Sequence, residues 1–326
     1  MYHQIKGWPC NFETLCFCHS IEEGAPRVPP APKSGLKVNE ELDPCKDILT
    51  QDVFSLLVSP TTDEAKALYT YDGLCNAISQ YNDNHKEKFG QMGSEEQMRA
   101  EIAAFLAHTA IDTKQYSAVR EDMHCLNPMT GSDGKVYCQP CKEEHYNPDT
   151  KTCSQSYFAT ENSYKEYCDL TRQAPQGCSC NNEQVVQTGN GYFPASEAYF
   201  ARGALSTSWN YDYYGASQSL MGNPNMLCDN PDLVSTNSQL AWGVGIYKWM
   251  EKMQHGTTGS TAHKQALKGN FGGTVKVLNG PLECPANVWS SASHVDMVKD
   301  RVAKVCKTGK SEFVLFCCVF WCLHLN

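Results

Sequence analysis

Missing from the 326-residue sequence is any apolar run of the roughly 18–20 residues that a bilayer-spanning helix needs. Positive charge is not in excess either. With 27 Lys and Arg against 36 Asp and Glu, the net charge is −9, which excludes the basic footprint that a nucleic-acid backbone requires. No run of alternating apolar and polar residues reads as a long strand. The segment Met1–Ser20 holds no apolar core behind a basic start, as a secretory leader would. Asn-x-Ser/Thr acceptors for glycosylation are absent throughout. Hydrophobic residues at 41 % and charged residues at 19 % exclude wholesale disorder.

Cysteine, by contrast, is plentiful. Of 18 in all, three lie near the start (Cys10, Cys16, Cys18) and three near the end (Cys317, Cys318, Cys322). The other twelve fall between Cys45 and Cys306, an even number that allows up to six disulfides. Seven of these crowd into 125–180, a stretch rich in Asn, Gln, Ser, Asp and Tyr. Such density is how an oxidised protein staples a region with little core of its own. Zinc is the rival, from Cys138-x-x-Cys141 and Cys178-x-Cys180, but a second Cys-x-x-Cys and a His pair are both wanting. Disulfides are therefore expected, and with them a secreted or lumenal location. No metal and no organic cofactor is expected.

Three segments emerge. Residues 1–44 form an N-terminal tail whose 24–44 stretch is a Pro-rich linker unable to hold a regular helix. Residues 45–307 form the body, with a Cys-rich insertion over about 125–190. Residues 308–326 form an apolar tail of doubtful origin, whose thirteen-residue run Phe313–Leu325 is too short to span a bilayer. In the body, Ile48, Phe54, Leu57 and Val58 read as a buried helical stripe, and a second helix fits Tyr71–Tyr81. Ser94 with Gln97 makes a capping box. Met98, Ile102, Phe105, Leu106 and Thr109 then recur on one helical face. Trp242, Ile246, Trp249, Met250 and Met253 repeat that spacing, and Val295, Val298, Val302 and Val305 suggest a final helix. These aromatic and Met stripes read as core rather than as a ligand site. The fold is expected to be mainly α with an irregular, Cys-pinned insertion.

The chemistry centres on two carboxyls. Asp112 falls where the third helix should end. There the partial negative charge of the last carbonyls and desolvation both favour the protonated form that a general acid needs. Glu121 follows nine residues on, an offset that is not a helical neighbour spacing. An extended segment after the helix would set it opposite Asp112. Two opposed carboxyls are the equipment for glycosidic hydrolysis. Taken alone the pair is weak, because a helix-end Asp and a solvated Glu are commonplace.

Several separated segments carry more. Tyr69-Thr-Tyr-Asp72, Glu101-Ile-Ala-Ala-Phe-Leu-Ala-His-Thr109, and Tyr199-Phe-Ala-Arg-Gly-Ala-Leu-Ser-Thr-Ser-Trp-Asn-Tyr-Asp-Tyr213 come in that order. They are followed by Asn230-Pro-Asp-Leu-Val234, the Trp-rich 238–254 helix, Val277-Leu-Asn-Gly-Pro-Leu-Glu-Cys284 and Asp300-Arg301. In wording and order, over about 46–306, these resemble the family 19 chitinases. The resemblance implies a lysozyme-like architecture of two α-rich lobes around a substrate cleft. It also implies an inverting endochitinase that acts as a monomer on chitin or chitooligosaccharides.

Carried over by position, the resemblance makes Asp112 the general acid, Glu121 the general base and Ser208 a helper that holds the attacking water. Glu283 and Arg301 match a charged pair beside the acid, and Tyr211, Asp212 and Asn279 match sugar-contacting positions. Arg202 reads as structural. The departures matter too. The family has His then Glu where this chain has Ile111-Asp112, so the acid loses a methylene, about 1.5 Å of reach. Ser206 stands where an amide is usual, Asp212 where Asn is usual, and Gly280-Pro281 replaces a Gly pair. His108, four residues before Asp112, would face that carboxyl on a continuous helix, but reads first as a satisfied helix-flank histidine. Two functions are expected on this basis: an inverting endochitinase, and a chitin-binding protein that lost turnover through the shortened acid.

Overall fold

The computed structural model describes residues 36–121, 123–130, 136–142, 145–153, 167, 169, 171–172, 174–178, 193–194, 199–252 and 260–283. The chain divides into two units. One is Met1–Leu57, Glu87–Ile111 and Trp249–Asn326; the other is Val58–Lys86 and Asp112–Lys248.

The first unit is built on α4 (Glu95–Asp112), and three shorter helices belong with it: α1 (Gln51–Leu57), α9 (Ala262–Ala266) and α10 (Phe271–Glu283). The capping box forms as expected, with the Ser94 N–H donating to Gln97 Oε1 at 3.0 Å and the Gln97 N–H to Ser94 Oγ at 3.4 Å. The stripe Met98, Ile102, Phe105 and Leu106 is buried, but so are Ala100, Ala103, Ala104, Ala107 and Ala110. Alanine on the remaining faces lets neighbours approach from every side, so α4 is a central helix rather than a surface one. Phe105 meets Phe89 and Trp249 edge-on, at 5.0 and 5.7 Å between ring centres. Full burial of each such ring contributes about 1.5–3 kcal/mol. A polar knot lies inside this core. Glu101, fully buried, accepts from the Trp249 indole at 2.9 Å and the Gly90 N–H at 3.0 Å, and its Oε1 lies 2.5 Å from His263 Nδ1.

The expected stripe Ile48, Phe54, Leu57 and Val58 is buried. Pro44–Ile48 forms a single π-helical turn, with Asp43 accepting from the N–H groups of Cys45 and Lys46 at 2.9 Å each. The end of the Pro-rich linker is not free chain. The Asn39 N–H donates to Gln91 O and the Gly93 N–H to Lys37 O, which sets Val38 against Met92 as a bridge.

The second unit carries α2 (Asp63–Leu68) and α3 (Tyr71–Asn84), capped by Thr62 and Thr70, which accept from the third N–H of each helix. It also carries α5 (Asn210–Met221), α6 (Asn225–Asp229), α7 (Leu233–Thr236) and most of α8 (Ser238–Glu251). Trp242 and Ile246 of α8 are fully buried, as are Trp249 and Met250 near its end, which bears out the reading of that stripe as core. Met253 and Val295–Val305 lie outside the described residues.

The insertion corrects one expectation. It contains a sheet of order β1-β2-β5, with β1 (Met123–Thr130) antiparallel to β2 (Val136–Lys142), and β2 antiparallel to β5 (Phe193–Pro194). A two-stranded ribbon of β3 (Tyr146–Asn147) and β4 (Thr152–Cys153) follows β2. Alternation did not forecast β1 because Asn127-Pro128 interrupts it, and the pairing register shifts there, between Leu126 and Met129. Proline has no N–H for the ladder, so a bulge replaces regular pairing. Disulfides Cys141–Cys153 and Cys178–Cys228 staple the region, and Cys45 and Cys75 are also disulfide-bonded. Cys141 and Cys178 are thereby removed from any zinc set, and no metal-ligand cluster occurs among the described residues. No helix among the described residues is long and apolar enough to cross a membrane.

Candidate active site

Helix α4 ends on Asp112, where the spacing places its end. The chain then makes a tight turn of reversed hand, not the expected extended segment: Lys114, Gln115 and Tyr116 have φ of 50°, 60° and 58°. Left-handed backbone costs a non-glycine residue roughly 1–2 kcal/mol, so three in succession need strong external support. Thr113 supplies part of it. Its hydroxyl oxygen accepts from the Tyr116 N–H at 3.0 Å, and its carbonyl accepts from the N–H groups of Ser117 and Ala118 at 2.9 Å each. Tyr116 supplies the rest, its ring buried edge-on against Tyr69, which in turn lies edge-on to Trp242. The Tyr69 hydroxyl donates to the Ala118 carbonyl at 2.8 Å. Burial first, and the nearby Asp112 carboxylate second, push the Tyr69 phenol well above its ordinary range, so Tyr69 stays a neutral donor beside that carboxyl.

Beyond the turn the chain is extended and pairs with the 201–207 loop. The Gly203 N–H donates to Val119 O at 3.0 Å, and the Glu121 N–H to Ala201 O at 2.8 Å. Arg202 and Thr207 close the loop with reciprocal bonds of 3.1 and 3.0 Å. Gly203 sits at φ 72°, and a Cβ there would meet Ala241 O at 3.0 Å and Val234 Cγ1 at 2.8 Å, so only glycine lets the loop seat so closely. Arg202 holds the loop from beneath. Its guanidinium donates to Asp232 at 2.8 Å, Tyr213 Oη at 3.0 Å and Phe200 O at 3.2 Å, which bears out its structural reading. Lys248 is buried and donates to Leu205 O at 2.6 Å.

This one loop touches both candidate carboxyl residues. Ser206 Oγ donates to the Asp112 backbone carbonyl at 3.0 Å. Glu121 Oε2 accepts from the Ala201 N–H at 3.4 Å and, more closely, from the Tyr167 hydroxyl at 2.7 Å. Asp112 and Glu121 are both half-buried. Ser208 is half-buried in the same loop region, and its hydroxyl makes no hydrogen bond among the described residues.

Tyr211 opens α5. Its ring stacks on Trp209 with 6.0 Å between centres, and the Arg172 guanidinium lies 4.7 Å from its ring centre. Burial, with Asp212 next in size, pushes its phenol up to about 12. Asp212 is 5 % exposed. Asn279 belongs to the other unit, where it breaks the helical conformation of α10 at φ −138° and ψ 20°. Glu283 ends α10, but its side chain and all of Arg301 lie outside the described residues. His108 is a core residue: fully buried, hydrogen-bonded to Thr274 at 2.9 Å, and packed on Trp249 and Phe271.

Three residues at this site had no signal in the sequence: Tyr167, Lys248 and Asn210. Asn210 is fully buried at the start of α5, where the Tyr199–Tyr213 segment suggested no special role for it. Its Nδ2 donates to Arg172 O and Cys178 O at 3.0 Å each, and to Asp169 O at 3.4 Å. Its Oδ1 accepts from the Asp169 N–H at 2.9 Å, and its backbone N–H donates to Tyr167 O at 3.0 Å. Asn210 thus holds Asp169, Arg172 and Cys178 by its side chain and Tyr167, the partner of Glu121, by its backbone.

A family model described as chitinase class I, of glycoside hydrolase family 19, matches residues 149–302. Ser208, Tyr211, Asp212, Asn279, Glu283 and Arg301 lie within that span, whereas Asp112 and Glu121 precede it. Endochitinase EP3 of Arabidopsis thaliana is 22 % identical over 289 residues, covering 84 % of this chain and 77 % of the relative. Chitinase 6 of Oryza sativa subsp. japonica is 26 % identical over 240 residues, which are 73 % of this chain and 62 % of that protein. Among solved structures, chitinase C from Streptomyces griseus HUT6037 aligns with a TM-score of 0.51 at 24 % identity, over 80 % of this chain and 75 % of that one. A bacterial family 19 chitinase aligns equally well, at 24 % identity over 82 % and 94 %. At this identity the likeness is one of fold, and that fold is helix-rich. The chain is thus related in sequence, and similar in fold, to the family 19 chitinases.

Proposed function

We propose that this protein is a family 19 chitinase that hydrolyses internal β-1,4 linkages between N-acetylglucosamine units with inversion at the anomeric carbon. In this reading the Asp112 carboxyl gives its proton to the glycosidic oxygen as the bond to the anomeric carbon breaks. Glu121 takes a proton from a water molecule that attacks the same carbon from the opposite face, and the new reducing end is the α anomer. Ser208 assists in holding that water, and Tyr211, Asp212 and Asn279 contact sugar. The observation that carries the reading is that a single loop, 201–207, bonds to the backbone of Asp112 and to the carboxylate of Glu121. One loop thus positions the Asp112 backbone and the Glu121 carboxylate together, the kind of placement a two-carboxyl displacement demands. The disulfides support an oxidising, extracellular setting.

The test is incubation with an N-acetylglucosamine hexamer while product anomers are followed by NMR. Early α product is expected, and early β product overturns inversion. Glu121→Gln should abolish turnover and leave hexamer binding largely intact; persistent turnover removes Glu121 from the role of base.

The shorter Asp112 side chain favours a second reading, a chitin-binding protein with impaired turnover. On the first reading Asp112→Glu raises the rate or leaves it high. On the second, the native protein yields no product while still binding the hexamer.

A further inference from the structure

We infer that Tyr167 is a positioning residue for Glu121, brought to it by the Cys-rich insertion rather than by the core of the fold. This rests on the catalytic reading of Glu121 given above. The Tyr167 hydroxyl donates to Glu121 Oε2 at 2.7 Å, the length of a charge-assisted bond. The Ala201 N–H donates to the same oxygen at 3.4 Å, so the phenol is the closer of these two donors.

The tyrosine is itself held from several sides. Its carbonyl accepts from the Asn210 N–H at 3.0 Å, and its ring lies 6.3 Å from that of Trp209. Two residues further on, Asp169 exchanges hydrogen bonds with the Asn210 side chain. The far end of the segment is fixed by the Cys178–Cys228 disulfide and by the Cys178 N–H, which donates to Asn210 O at 3.2 Å. A phenol anchored at both ends of its segment can fix one carboxylate oxygen and so aim the other face of the group at water.

The test uses the full chain labelled with 13C at glutamate Cδ. The Glu121 carboxyl resonance is identified by its loss in Glu121→Gln. Tyr167→Phe removes one oxygen and keeps the ring. It should move that resonance while leaving the other glutamates in place and the melting temperature nearly unchanged. Hexamer hydrolysis should fall roughly ten- to hundredfold in kcat, the scale of one hydrogen bond to a charged group, with KM within about twofold. An unmoved Glu121 resonance overturns the inference, as does a moved resonance with unchanged kcat. If the resonance moves but the native protein hydrolyses no chitin, Tyr167 still holds Glu121, and it is the catalytic reading of Glu121 that fails.

Discussion

The Ser206 hydroxyl donates to the Asp112 carbonyl oxygen at 3.0 Å, tying the last residue of α4 to a loop that folds back from 94 positions further along the chain. A helix end offers unsatisfied carbonyls, and a serine that fills one of them fixes where the terminal side chain starts. Ser206 itself sits at φ 46°, so the loop accepts some backbone cost to present that hydroxyl.

Ser206→Ala should therefore cost about 0.5–1.5 kcal/mol of stability, the net worth of one hydrogen bond. The rate of hexamer hydrolysis should fall further than that figure suggests, by roughly tenfold, because Asp112 is displaced rather than removed. Urea unfolding and initial rates on the same preparation separate the two effects.

Asn210→Ala leaves the carbonyls of Asp169, Arg172 and Cys178 without their shared donor. The bond to Cys178 O is buried and the other two are part-buried, so a loss of about 1–3 kcal/mol is expected. The 167–178 segment should become the first site of cleavage in limited proteolysis, detached from α5 but still linked through Cys178–Cys228.

Gln115 is exposed and sits at φ 60° in the middle of the reversed turn. Gln115→Gly should stabilise the protein by about 1 kcal/mol, since glycine takes that conformation without steric cost. The expected readout is a higher melting temperature with unaltered hydrolysis.

Thermal stability should also depend on pH through His263. Burial opposes its protonated form, but the Glu101 charge and hydrogen bond, with Glu87 adding and Lys264 subtracting, raise its proton affinity on balance. A raised folded value means that the stabilisation is fully present below the unfolded value of about 6.5 and is lost as pH rises through the folded value. Melting temperatures measured upward from pH 6 should fall in the native protein. The difference from His263→Gln should shrink over the same range.

Much of the helical frame was legible in the sequence. Ser94 and Gln97 announced the start of α4, its apolar spacing led to an end at Asp112, and the Trp242–Met250 stripe declared itself as core. Each signal involves residues a few positions apart on one helix, where spacing and contact are the same thing. The sheet in the insertion was not legible, because Asn127-Pro128 breaks the alternation that marks a strand.

The sequence by itself determined that the protein is helix-rich and disulfide-bonded, and that one carboxyl residue ends a helix with a second nine positions further on. Tertiary structure alone decided what holds them. Tyr167 reaches Glu121 from 46 residues away and Ala201 from 80, while Ser206 reaches Asp112 from 94. Bonds of that kind leave no periodic trace, since they depend on where the chain returns in space. The return is set by a buried Asn210, a left-handed turn seated on Tyr116, and a glycine at 203 that lets two backbones meet.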